Sequence, residues 1–131
     1  MQADLDFATA AADRGLEGWM SRMAPDAVRL VLGQPSIRGS KAIAEADSVL
    51  FTPGIRLTWE PVDAGLLAGG THGFTTGTYD LWRAAVDGSE VRASTGSYIT
   101  IWWRDATGDW QIALDGGAAG ELRSDSSSNA G

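Results

Sequence analysis

The side chains of this chain that could do chemistry are few, and several fall in the stretch GSYITIWWRDATGDWQIALDGG, residues 96–117, whose last apolar run closes on Asp115. Trp110, Ile112 and Leu114 alternate ahead of this acid, and continued alternation places Asp115 opposite them. If rings wall it in, desolvation raises its pKa and fits it for acid or base work. The competing reading is a carboxylate bonding backbone amides at a strand end. In the same stretch, Tyr98 carries a phenol that could donate to a developing oxyanion. His72 is the single histidine and lies in the connection Gly70-Thr71-His72-Gly73. It reads either as a proton relay titrating near neutrality or as a solvated loop side chain.

Four more aromatic residues, Trp19, Trp59, Tyr79 and Trp102, are candidates for ligand contact, because small-molecule sites are mostly apolar with a few polar groups. Buried indole and phenol donors need partners, and a ligand oxygen is one; plain core packing is the alternative. Asp26 reads as a backbone contact at the entry to the first strand. Glu60 and Asp63 lie in an apolar-rich segment, and Glu60, which alternates away from Trp59, reads as exposed. Gly73, Gly77 and Gly96 read as bend points in curling strands, since no helix N-terminus follows them to make a phosphate loop.

Other chemistry is excluded by composition. The chain has no cysteine, so thiolate chemistry, disulfides and zinc–thiolate sites are out. One histidine cannot build a multi-histidine metal site, and no cofactor or metal is expected. The net charge of −7, with basic residues scattered from Arg14 to Arg123, argues against nucleic acid. No apolar run approaches the roughly 18 residues of a membrane span. The opening MQADLDFATAAADRG lacks the basic start and apolar centre of a signal peptide, so a cytoplasmic location is expected.

The elements that must position these residues follow from periodicity. Leu5, Ala8, Ala12, Leu16, Trp19 and Met23 recur at helical spacing over 3–23; Gly15 and Gly18 interrupt the pattern, so either a break near Gly15 or two helices meeting there is expected. Residues 27–32 read as a strand. A second helix starts at Ser40 as N-cap, runs through Ile43, Ala46, Asp47 and Leu50, and stops at Pro53-Gly54. Strands follow over 55–68, 73–84, 90–104 and 109–115, separated by glycine-bearing turns. Helices first and a meander afterwards predict an α+β fold. From Gly116 onward the composition turns to Ser, Gly, Ala and Asn. Residues 1–117 are therefore expected to form one domain and 118–131 a disordered tail.

Particular residues carry a resemblance. Leu57-Thr58-Trp59-Glu60-Pro61, then Gly70-Thr71-His72-Gly73-Phe74-Thr75-Thr76-Gly77-Thr78-Tyr79, Gly96 to Arg104 and Gly108-Asp109-Trp110-Gln111-Ile112 follow one another in order. Upstream, Pro35-Ser36-Ile37-Arg38-Gly39 leads into Ala42-Ile43. Over roughly residues 5–117 the chain resembles the SnoaL-like branch of the nuclear transport factor 2-like superfamily, which also holds ketosteroid isomerase and polyketide cyclases. The resemblance implies a cone: a strongly bent antiparallel sheet wrapped around N-terminal helices, with an apolar cavity. It also implies a homodimer through the outer sheet face. Along 98–104 neither face is polar, which agrees with both faces being covered.

The family's catalytic residues do not carry over. Ketosteroid isomerase has an aspartate near the end of its first strand, where this chain has Leu30-Val31-Leu32-Gly33. It has a tyrosine on the first helix, where Phe7 and Ala8 stand here, and an aspartic acid on a late strand, where Tyr98 or Thr100 stands. The epoxide-hydrolase branch needs an Asp–Arg–Asp constellation on inner positions, and Arg104-Asp105 falls at a turn. The expectation is thus a binder of a small apolar or aromatic molecule. Any catalysis would be cofactor-independent cyclisation, isomerisation or dehydration through Asp115, Tyr98 and His72. The alternative is a non-catalytic module working through its outer sheet face.

Overall fold

The computed structural model describes residues 1–31 and 33–120. Helix α1 (Gln2–Arg14) and short helix α2 (Leu16–Met20) meet at Gly15, whose φ of 61° makes the turn. The two pack so closely that a Cβ on Gly18 would lie 1.9 Å from the carbonyl oxygen of Ala10. Strand β1 (Met23–Val31) follows, then the two-residue β2 (Ile37–Arg38), helix α3 (Ser40–Asp47) and a 3-10 turn (Ser48–Phe51). Four long strands complete the chain: β3 (Ile55–Leu66), β4 (His72–Ala84), β5 (Glu90–Arg104) and β6 (Trp110–Gly120).

The strands form one sheet in the order β2-β1-β6-β5-β4-β3. The fold is α+β, as expected, but the sheet is mixed: β1 lies parallel to β6, and the other neighbours are antiparallel. A parallel pair needs a long connection, and here everything from β2 to β5 supplies it. The helical face of α1 also differs from the expected one. Asp4, Phe7 and Ala11 are buried, whereas Leu5 and Ala12 are exposed. The inward stripe lies one residue earlier than the Leu5–Ala8–Ala12 spacing suggests, because an acid occupies one of its positions.

Strand β1 begins at Met23, four residues before the expected start, and passes through Pro25. Ser40 is the first residue of α3, and Gly39 is its N-cap. Strand β6 runs to Gly120, past the expected end at Asp115 and three residues into the segment read as tail. The rest of that segment, 121–131, lies outside the described residues.

The core forms where α1, α2 and α3 meet the inner sheet face. Phe7, Trp19, Met23, Ile43, Trp102 and Ile112 are buried there. Phe7 sits at the centre of the rings, 5.1 Å from Trp19, 5.1 Å from Trp59 and 6.0 Å from Trp102 between centroids. Trp19 and Trp59 meet edge to face at 5.5 Å.

Candidate functional site

Pairing across the sheet lines up four polar residues on one inward row. Thr75 on β4 is opposite Thr100 on β5, Thr100 is opposite Asp115 on β6, and Asp115 is beside Arg29 on β1. Asp115 joins this row because of an irregularity. Trp102 pairs with Ile112 while Ile101 pairs with Leu114, leaving Ala113 as an extra residue in β6. The extra residue resets the alternation, so the buried Ile112 and Asp115 face the same side. Simple alternation puts them on opposite sides, and the bulge is the reason it fails.

Around Asp115 the contacts are specific. The Thr100 hydroxyl donates to its Oδ1 at 3.0 Å, and Nη1 of Arg29 lies 3.6 Å from its Oδ2. Arg29 is itself held by Asp47 at the end of α3: its Nε donates to Oδ1 and Oδ2 at 3.3 and 3.1 Å. The Trp19 indole donates to Oδ2 of Asp47 at 2.9 Å. One guanidinium thus bridges two carboxyls, an Asp47–Arg29–Asp115 arrangement drawn from α3, β1 and β6. The sequence offered only Arg104-Asp105 for an Asp–Arg–Asp set, because the residues that form one lie far apart along the chain.

A second carboxyl organises the neighbouring wall. Asp4 on α1 is 1% exposed and accepts from three side chains. Trp59 Nε1 reaches Oδ1 at 2.8 Å, while the Thr75 and Tyr98 hydroxyls reach Oδ2 at 2.5 and 3.1 Å. Thr75 in turn accepts from Trp102 Nε1 at 3.1 Å. The donors of Trp59, Tyr98 and Trp102 are therefore satisfied within the protein.

Beside these groups is a pocket of about 300 Å³. Phe7, Trp19, Trp59, Tyr79 and Tyr98 form its aromatic wall, Leu30, Val31, Leu50, Leu57 and Leu81 add apolar surface, and Arg29, Thr100 and Asp115 supply its polar groups. Two rings lie across neighbouring strands where there is no side chain to obstruct them. A Cβ on Gly77 would be 2.8 Å from the Tyr98 ring, and one on Gly96 would be 2.8 Å from the Tyr79 ring. Burial pushes the Asp115 carboxyl above its ordinary range; Arg29 and the Thr100 hydrogen bond oppose this, and the charges of Asp47 and Asp4 add to it. Burial, and then the charge of Asp4, push the Tyr98 phenol well above its ordinary value, so it stays protonated.

The expected site residues divide accordingly. Asp115, Tyr98, Trp19, Trp59 and Tyr79 come together on this pocket. Trp102 does not: it is 3% exposed in the core and borders a different, more open groove of about 490 Å³ near Arg22, Asp109 and Trp110. That groove is the larger and takes in Thr75, while Arg29, Thr100 and Asp115 line the smaller pocket. His72 is exposed and pairs with Trp103 on the outward row; its Nδ1 is 3.1 Å from the Thr71 hydroxyl, and it lies outside the pocket. Tyr98 is in place, but its proton is committed to Asp4 rather than free for an oxyanion. Asp26, Glu60 and Asp63 are exposed. Sequence reasoning missed Asp4, Arg29 and Asp47 as site residues. A signal existed for two of them: Asp47 falls on the apolar face of α3 with Ile43, and Asp4 stands three residues before Phe7.

No protein-family model and no curated protein sequence matches the chain. Solved structures do. A ketosteroid isomerase-like protein from Erwinia carotovora atroseptica superposes with a TM-score of 0.74 at 16% identity, covering 92% of each chain. An NTF2-like protein with a cystatin-like fold from Novosphingobium aromaticivorans gives 0.69 at 15% identity, covering 97% of this chain and 83% of that one. A protein from Catenulispora acidiphila, solved in complex with S-DNPA, gives 0.70 at 15% identity, covering 99% of this chain and 93% of that one.

Proposed function

From a chain with the nuclear transport factor 2-like, ketosteroid isomerase-like fold, we propose a protein that binds a small apolar or aromatic molecule and transfers a proton on it through Asp115. One observation carries this reading: a carboxyl whose pKa burial has raised opens on a ring-lined pocket of about 300 Å³. A raised pKa brings a carboxyl closer to the working pH, where an acid or base transfers protons best. Thr100 fixes one carboxyl oxygen and Arg29 faces the other. Arg29, anchored by Asp47, stabilises the anion formed when Asp115 gives up its proton and loses that attraction when the proton returns. Such a step needs no cofactor, and isomerisation, cyclisation and dehydration are the reactions it serves. The bridged Asp–Arg–Asp arrangement adds epoxide opening to the reactions worth trying. Tyr98 shapes the pocket and can accept a hydrogen bond, its own proton being held by Asp4.

The test has two parts. Naphthylmethanol titrated into the protein should quench tryptophan fluorescence, because Trp19 and Trp59 line the pocket; no quenching and no calorimetric heat would remove the binding claim. A screen of aromatic carbonyl compounds and epoxides should then give turnover that Asp115→Asn lowers about a hundredfold or more. Turnover untouched by that substitution would remove the catalytic claim.

A second reading rests on the other side of the sheet. Ile99 and Trp103 stand outward on β5, 39% and 37% exposed, with Ile101 between them. This apolar strip supports pairing of two copies through the outer face, as catalysis-free assembly or beside it, and oligomeric state is its test.

A further inference from the structure

Charge inside the molecule is not balanced around the pocket. Three carboxyl groups are buried on α1, α3 and β6: Asp115 lines the pocket, while Asp47 bonds to the lining residues Arg29 and Trp19 and Asp4 to the lining residues Trp59 and Tyr98. One cation, Arg29 on β1, answers two of them, and its Nε is spent on both oxygens of Asp47 while its Nη1 faces Asp115. Glu60 on β3 adds negative field, since its charge is felt at Tyr98. Buried carboxylates are costly unless paired; among the described residues Arg29 is the one cation shared by Asp47 and Asp115, and Asp4 is held by the neutral donors of Trp59, Thr75 and Tyr98 alone. Trp19, Trp59, Phe7 and Tyr79 line the same pocket as Asp115, and aromatic rings attract cations, as the Arg29 guanidinium 5.9 Å from the Trp19 ring centroid already illustrates.

We propose that the pocket selects its ligand by charge and takes a protonated amine on an aromatic or apolar body. The inference rests on the binding reading above and narrows it to one ligand class. The ammonium group would sit against the Asp115 carboxylate, supplying the missing countercharge, with the body of the ligand among the rings. An anion would face the Asp115 carboxyl with Asp47 and Asp4 behind it, and the only guanidinium it could use is already engaged. Neutral ligands fall between, since they gain the rings without the ion pair. Burial holds Asp115 toward its protonated form, so a bound cation draws off that proton. Amine affinity therefore rises with pH through the Asp115 titration, as long as the amine stays charged.

Three probes that share one ring system separate the terms: naphthylmethylamine, naphthylmethanol and naphthoate, titrated by calorimetry at neutral pH and low salt. The expected order is amine, then alcohol, then naphthoate, with the amine about tenfold or more tighter than the alcohol. Equal binding of amine and alcohol, or tighter binding of naphthoate than of the alcohol, overturns charge selection while the pocket reading stands. Binding of none of the three removes the pocket reading, and this inference with it. In Asp115→Asn the amine should lose its advantage while the alcohol still binds; an advantage kept in full by that variant places the ammonium elsewhere and also overturns the proposal. Should the variant not fold, the wild-type series alone decides.

Discussion

The buried carboxyl of Asp115 couples the stability of the fold to pH. Burial raises its folded pKa above the unfolded value, so the stability it contributes is fully present below the unfolded pKa and is lost as pH rises through the folded one. Asp115→Asn should therefore gain melting temperature relative to the parent as pH climbs from about 4 toward neutrality. Comparing the two proteins cancels the exposed carboxyls Asp87, Glu90 and Asp105, which hydrogen bonds hold low and which act in the opposite direction. A melting difference that is flat with pH would mean that Asp115 is not the perturbed group. Asp4 is a different case. It accepts from Trp59, Thr75 and Tyr98, so Asp4→Ala strands three donors in the interior. Urea titration should show a loss of about 3 kcal/mol or more. A loss under about 1 kcal/mol would mean that water replaces the carboxylate there.

Elements place these residues through small irregularities. Helix α2 comes within reach of the site because Gly15 turns the chain and Gly18 lets the two helices touch, bringing Trp19 to Asp47. Gly18→Ala cannot be absorbed by a side-chain shift, since the clash is with the backbone of Ala10. It should cost about 1–3 kcal/mol in urea denaturation and weaken probe binding, whereas Gly88→Ala, with open space around it, should leave binding intact. In β6 the extra residue Ala113 decides which way Asp115 looks. Alternation alone read β5 well, with Tyr98, Thr100 and Trp102 on one face and Ile99 and Trp103 on the other. It failed in β6 because nothing in Gln111-Ile112-Ala113-Leu114 marks a bulge.

At the scale of the whole molecule, the sheet has two unlike surfaces. Its inner face carries the candidate site, and its outer face leaves Ile99 and Trp103 half in solvent. If that strip pairs two copies, sedimentation should give a dimer, and Ile99→Asp should shift it to monomer without abolishing probe binding. A monomer at high micromolar concentration would remove the second reading. The net charge of −7 opposes self-association in general, so a dimer needs apolar contact of the kind this strip supplies.

The sequence by itself determined the element types, the α+β class, the family likeness and the identity of the rings, because hydrophobic period, glycine turns and aromatic spacing are local signals. It also picked out Asp115, Tyr98, Trp19, Trp59 and Tyr79, which do share a pocket. Only the tertiary structure decided what that pocket can do. Arg29, Asp47 and Asp115 are strangers along the chain and become partners through the parallel β1–β6 pairing and the packing of α3 on β1. Asp4 is not among the residues that the sequence singles out, and a one-residue rotation of the helix face turns it inward. Burial is a property of the folded assembly, and a carboxyl's charge state follows its surroundings rather than its neighbours in sequence.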